Sequence, residues 1–315
     1  MNDLLPRGCY VMLHIGTGPS HAEEKGGPPL VVTGTNRFAL SDEIWIERLD
    51  EQLAKRIQKA CEPPHYKIES IEQDRHLYAF LRRVSDAEKS KYEGMEELRA
   101  VIALSRLIHP TSVGDRYCAL VWHFGLEDSA IQAIQYRGTS RDVLLSSKQR
   151  DWLSVEDAEN LRKLTPWLSK DKRMHDRVHR AYWHHEYAMR SSHLDMRWVL
   201  VVSGLEALIN VGNKDNKWQF RGRVRQLADE FGVALIDDDL SRAWDLRSKM
   251  VHAESFLYGL ETILPKSQHN DLYEKLEGLL RMTVKRCFLD GEFGDYFRDD
   301  AAVANRWSLG PKPRQ

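Results

Sequence analysis

Trp244-Asp-Leu-Arg-Ser-Lys-Met-Val-His252 is the stretch on which the reading of this chain turns. On a helical wheel at about 100° per residue, Ala243, Leu246, Met250, Ala253 and Leu257 fall in one apolar stripe. That stripe predicts a core-facing helix running from near Leu240 to Tyr258. Trp244, Ser248, Val251 and Ser255 form a second stripe on the opposite side. A helix that is apolar on two faces is seldom open to solvent on one of them. An aromatic among small residues suits a helix–helix contact, so this second face is the expected surface of a homodimer. Arg247 and His252 lie about 140° apart on the same wheel and flank that stripe, one on each edge. A twofold axis through the stripe would bring two Arg–His pairs into one cleft.

The neighbouring sequence reads as helices too. Asp237-Asp-Asp239 places carboxylates at a helix start, where they favour the dipole. Phe220-Arg-Gly-Arg-Val-Arg225 sits in an amphipathic helix from Trp218 to Phe231, with Gly232 as its stop. His193–Val211 is an apolar helix that carries Leu205-Glu-Ala-Leu-Ile209, and His175–Arg190 is a basic, aromatic one. Asp271–Leu289 is the last long helix. Residues 166–295 therefore read as an all-α bundle. Residues 296–315, which include Gly310-Pro-Lys-Pro313, read as a flexible tail.

Residues 1–165 are mixed. Cys9–Ile15 and Leu30–Thr33 suit strands, and the Gly- and Pro-rich segment between them suits a loop. Gly16-Thr-Gly18 and Gly26-Gly27 lead to no Gly-Lys-Ser/Thr, so this is no P-loop. Ser41-Asp42 reads as the N-cap of a helix that reaches Cys61 before Pro63. A second helix fits Ser85–Ile108, and strands fit Tyr117–Phe124 and Ile131–Tyr136. Ser154-Val-Glu-Asp157 has the form of a capping box. The fold class is thus α+β: an N-terminal mixed α/β domain followed by a helical bundle.

Composition narrows the function classes. Of 315 residues, 30% are charged, and no apolar run approaches the roughly 20 residues of a membrane span. The longest, Trp198–Val202, is soon broken by Gly204 and Glu206. The N-terminus lacks a basic segment followed by an apolar one, so no secretion signal is expected. Cys9, Cys61, Cys118 and Cys287 are widely spaced with no Cys-x-x-Cys, which argues against disulfides and structural zinc and for the cytoplasm. Net charge is −1, so no global cationic field is expected. Charge is uneven, however: Lys170–Arg225 holds 12 Lys/Arg against 6 Asp/Glu.

The Arg-x4-His spacing carries little by itself, since Arg180 and His185 repeat it. Its context carries more. The Leu205–Ile209 segment, the Arg-rich helix after it and the Trp244–His252 segment, in that order, resemble Apea-like HEPN proteins over about 120 residues. Trp244 stands at the family's usual tyrosine, and Ala253 at the usual glycine. The resemblance implies a metal-independent endoribonuclease, without cofactors, whose site is completed at a homodimer interface. It implies Arg247 and His252 as the catalytic pair, and a bacterial defence or toxin-like setting with an antitoxin or regulatory partner.

These residue types suit RNA cleavage. RNA supplies its own nucleophile, the 2′-hydroxyl, so an imidazole titrating near neutrality and a fixed cation suffice. Glu206 is placed to pair with Arg247 or to orient His252. Ser248 and Asp245 are candidate supporting residues, and Arg221, Arg223, Arg225 and Lys249 candidate RNA contacts. Another cluster comprises His175, His179, His184, His185 and His193. His175 and His179 have metal-capable spacing but no evident acidic third ligand, so a water- or phosphate-filled polar face is expected. The competing reading is a module that binds RNA, a nucleotide or a partner without cutting.

Overall fold

A computed structural model describes residues 8–15, 37–61, 77–85, 91–110, 117–122, 130–134, 153–168, 174–191, 193–212, 214–251 and 266–312. The chain divides into two compact units, residues 1–170 and 171–315.

The first unit is built on a six-stranded antiparallel sheet. Its strands are β1 (Gly8–Ile15), β2 (Arg37–Ala39), β3 (Ile44–Arg48), β4 (Leu77–Arg83), β5 (Cys118–Trp122) and β6 (Ala130–Ala133), in the order β2-β3-β4-β1-β5-β6. The continuous apolar run of β1 is explained by its central place, because both its faces are covered. Cys9, Val11 and Leu13 join a core with Leu53, Ala54 and Ile57 of helix α1 (Glu51–Cys61). Tyr10 points the other way, against Gly94 of helix α2 (Lys91–Ile108), where a Cβ would meet the tyrosine ring at 2.2 Å. Helix α3 (Val155–Leu164) opens with the expected capping box. The Asp157 amide donates to Ser154 Oγ at 3.1 Å, and the Ser154 amide to Asp157 Oδ2 at 2.7 Å.

One sequence expectation for this unit needs correction. The helix expected from Ser41–Asp42 begins only at Glu51, capped by Asp50, whose Oδ1 accepts from the Leu53 amide at 2.8 Å. Ser41 does cap, but it caps a turn, accepting from the amides of Glu43 and Ile44. Ile44-Trp-Ile46 then pairs with β4 as a strand, following the β preference of its branched and aromatic residues. Strands β2 and β4 had no expected counterpart. Leu30–Thr33 lies outside the described residues.

Every regular element of the second unit among its described residues is a helix. Its long helices are α4 (Asp176–Arg190), α5 (Leu194–Ile209), α6 (Asn216–Glu230), α7 (Asp237–Val251) and α8 (Lys266–Leu289). Helix α5 is the hub, touching the other four and burying Trp198, Val201, Val202, Leu205, Leu208 and Ile209. At Gly204 an added Cβ would lie 2.7 Å from Leu280 and 3.2 Å from the His184 Cβ, so the missing side chain lets α4 and α8 close on α5. Gly232, at φ 67°, ends α6 as expected. The Val233 amide returns to the Ala228 carbonyl at 2.8 Å, and the Gly232 amide to Asp229 at 3.2 Å. Ala243 and Leu246 are buried, as the first stripe of α7 requires.

The C-terminal segment does not fray as expected. Short helices α9 (Gly291–Asp295) and α10 (Asp300–Arg306) are capped by Asp290 and Asp299. Phe297 and Trp307 are buried with ring centroids 4.9 Å apart, and Phe293 meets Phe231 and Phe297 edge to face. Gly-Pro-Lys-Pro marks only the very end; the aromatics before it are core residues. No helix of the described residues is long and apolar enough to cross a membrane.

Candidate active-site cleft

A cleft of about 490 Å³ opens on the second unit, between α4 and α5 and beside α7. From α4 come Arg177, Arg180 and His184, and from α5 and its C-cap come Ser203, Glu206, Ala207 and Asn210. Those positions repeat at three, four and seven residues, so each set falls on one helix face. Helix α7 contributes Arg247, and the C-terminal segment contributes Asp300.

The Arg247–Glu206 pair anticipated as one of two roles for Glu206 is present. Arg247 Nη2 lies 2.8 Å from Glu206 Oε2. Asn210 Nδ2 donates to the other carboxylate oxygen at 3.2 Å. Burial raises the Glu206 pKa, opposed by the Arg247 charge and the Asn210 hydrogen bond. The guanidinium also lies 5.5 Å from the Trp244 ring centroid. Its Nε is buried without a hydrogen-bond partner among the described residues.

Arg177 has a structural duty. Its Nη1 donates to the Ala207, Leu208 and Asn210 carbonyls at 3.2, 3.3 and 2.7 Å, closing the C-terminal end of α5. Its other nitrogen pairs with Asp300, which also accepts from the Gly212 amide at 3.1 Å. Arg180, by contrast, is exposed and makes no ion pair with a described residue. His184 lies between these charges. Burial lowers its pKa first, and Arg180 and Arg247 lower it further. Both effects disfavour the charged imidazolium.

The other expected site residues are scattered. His252 and Ser255 lie outside the described residues. Asp245 is paired with Lys217, whose Nζ is 2.7 and 2.9 Å from its two carboxylate oxygens. Ser248 is half-buried and Lys249 exposed, and neither lines the cleft. Arg221 and Arg225 both pair with Asp237, at 3.1 and 2.9 Å, outside the cleft lining. Arg223, expected at an RNA surface, is 6% exposed; its Nε donates to the Trp307 carbonyl and its Nη1 to that of Ile209, each at 3.1 Å. It ties α6 to the chain's end, because the core placed there needs a donor for two buried carbonyls. Trp244 is half-buried, with its ring 5.2 Å from that of Phe220, so part of the expected dimer face is filled from within the same chain.

The histidines do not form one cluster. His175 Nε2 meets Asp295 at 3.0 Å, and His179 Nε2 accepts from the Trp183 indole at 2.8 Å. His185 is fully buried with Nε2 at 2.9 Å from Glu277, while His193 stands just before α5. Among the described residues no three His, Cys, Asp or Glu side chains gather as a metal-binding group.

Sequence reasoning noted His184 but not its place beside Arg247, and it missed Arg177, Arg180, Asn210 and Asp300. The spacing of Arg177, Arg180 and His184 is a usable signal once α4 is known to face α5. No linear signal marks Asp300. The chain matches no known family model, no curated protein and no solved structure.

Proposed function

We propose that this protein is a metal-independent endoribonuclease of the HEPN type. In this reading the second unit is the nuclease bundle, acting as a homodimer in bacterial defence or a toxin-like role. The first unit senses a trigger or restrains the nuclease. The carrying observation is Arg247, held by Glu206 at 2.8 Å in a cleft it shares with the imidazole of His184.

The chemistry needs three things from the protein. An imidazole takes the proton from the 2′-hydroxyl as that oxygen attacks the adjacent phosphorus. The P–O5′ bond breaks as a protonated imidazole, the same one or a second, gives its proton to the leaving oxygen. A cation stabilises the extra negative charge on the phosphorus oxygens as the transition state forms. The ends are a 2′,3′-cyclic phosphate and a 5′-hydroxyl. Arg247 is the cation of this scheme, and Glu206 fixes its guanidinium. His252, named by the resemblance, and His184, named by the cleft, are the two imidazole candidates.

The test is cleavage of total RNA by wild type, Arg247→Ala, His252→Ala and His184→Ala, followed by analysis of the new ends. Cyclic-phosphate ends that vanish in Arg247→Ala and in at least one histidine variant are the expected result. Undiminished cutting by Arg247→Ala overturns the assignment. The Glu206 contact also favours a second reading, because an arginine already paired can serve a module that binds RNA or a nucleotide without cutting. Wild type that retards RNA in a gel yet never yields cyclic-phosphate ends is the outcome of that reading.

A further inference from the structure

We infer that the outer face of α4 is a stacking platform for the bases of single-stranded RNA, feeding the strand's phosphates into the adjoining cleft; this rests on the cleft being an RNA site. His179, Trp183 and Tyr187 succeed one another at four-residue spacing, and so form a ladder along one side of the helix. Trp183 is 41% and Tyr187 56% exposed, unusual for rings of this size in a helix with a well-filled opposite face.

The ladder is ordered. The Trp183 indole donates to His179 Nε2 at 2.8 Å, and the two rings meet edge to face with centroids 6.1 Å apart. The Trp183 and Tyr187 centroids are 5.8 Å apart with planes only 32° from parallel. Tyr182 supports Trp183 from the buried side at 5.4 Å. Exposed rings held in place lose little freedom when a ligand stacks on them.

Charge selects the occupant. Arg180 and His184 lie on the next strip of the same helix, about 60° round from Tyr187 and Trp183 on average, and both line the cleft. Arg180 has no ion-pair partner among the described residues, so a cation stands beside exposed aromatic faces. A polyanion whose bases have flat π surfaces satisfies both features at once. Stacking on aromatics with phosphates in a basic groove is how single strands are held without sequence readout.

The experiment uses the full chain and a labelled 2′-O-methyl oligoadenylate, which lacks the attacking hydroxyl and stays intact whether or not the protein cuts RNA. An abasic oligomer of equal length is the second probe, and binding is followed by anisotropy. Wild type is expected to prefer the base-bearing strand. Trp183→Ala and Tyr187→Ala each weaken that strand roughly tenfold and leave the abasic one unchanged, Trp183→Phe restores most of the loss, and Arg180→Ala weakens both strands. The inference is overturned if the aromatic variants keep the preference for bases, or if wild type binds neither strand. It is also overturned if Trp183→Ala turns a dimer into a monomer in sedimentation without changing either affinity, since the face would then belong to a second copy. A base preference in a protein that leaves RNA uncut would keep the platform and remove the nuclease reading.

Discussion

Arg247 on α7 reaches Glu206 on α5 with Nη2 and Oε2 2.8 Å apart, a contact between residues 41 positions apart in the sequence. Both side chains keep partial solvent contact, and burial raises the Glu206 pKa against the pull of Arg247. The sign is that of an acid with a raised folded-state pKa: stability is present below the unfolded value of 4.5 and declines as pH rises through the folded one. The pair is therefore worth little net at neutral pH. Glu206→Gln is expected to change unfolding free energy by less than about 1 kcal/mol. A double-mutant cycle with Arg247→Met, read by urea unfolding, is expected to give a coupling of similar size.

Activity is expected to separate the arginines of this unit. Arg247→Ala lowers the initial rate of RNA cleavage by about 10²–10³-fold, the usual effect of removing a preorganised donor to transition-state charge. Arg221→Ala and Arg225→Ala, which release only the exposed Asp237 pairs, change it by less than about threefold.

His184 is expected to titrate below the ordinary imidazole value of 6.5, because burial and then two guanidiniums disfavour its charged form. Arg180→Ala should raise that pKa, and inorganic phosphate in the cleft should raise it in the wild type. Two-dimensional NMR of the imidazole protons through a pH series measures both. A His184 titration that Arg180→Ala leaves unmoved would place that arginine too far away to matter.

Acid stability is expected to depend on Glu277. Burial works to raise its pKa, but the Arg281 charge and the His185 hydrogen bond override it and hold the carboxyl down at about 2. The sign is now the opposite one. A depressed folded-state pKa contributes stability that is present above the unfolded value of 4.5 and is lost as pH falls toward 2. Thermal unfolding should drop steeply across that window, and Glu277→Gln should flatten the drop while lowering stability at pH 7, since His185 and Arg281 lose their charged acceptor.

The C-terminal segment is expected to behave as core. Trp307→Ala removes a ring that is 2% exposed and should cost about 3–5 kcal/mol. Deleting residues 307–315 should cost at least as much, because it also strips Arg223 of its Trp307 carbonyl acceptor. Circular-dichroism melts of the full chain and the truncation measure this. An unchanged melting temperature would return these residues to the frayed tail that Gly310-Pro-Lys-Pro313 suggests.

Where the sequence was legible, a local rule had no competitor. Ser154 and Asp157 cap α3, and Gly232 stops α6, because those contacts close within a few residues. The apolar stripe of α7 places Ala243 and Leu246 inside for the same reason. Legibility failed where two local rules disagreed or where partners were remote. Ser41 is a sound cap, but Ile44–Ile46 prefers a strand once β4 supplies the pairing partner, more than thirty residues away. Arg223 sits in an Arg-rich run that looks like a solvated face, and only the carbonyls of Ile209 and Trp307 show why one of its three arginines turns inward.

The sequence by itself determined the α+β composition and the order of the second unit's long helices, and marked Arg247 at the edge of a helix stripe, because helix periodicity and capping are short-range effects. Only the tertiary structure decided what stands around Arg247. Bringing α4 against α5 across Gly204 puts His184 and Arg180 beside it and turns Trp183 and Tyr187 outward. The end of the chain supplies Asp300 to the rim of the same cleft. Those placements depend on packing between helices distant in sequence, and neither spacing nor composition encodes them. The Arg247 that periodicity marks as the edge of a helix stripe is, in three dimensions, one wall of a basic cleft flanked by aromatics.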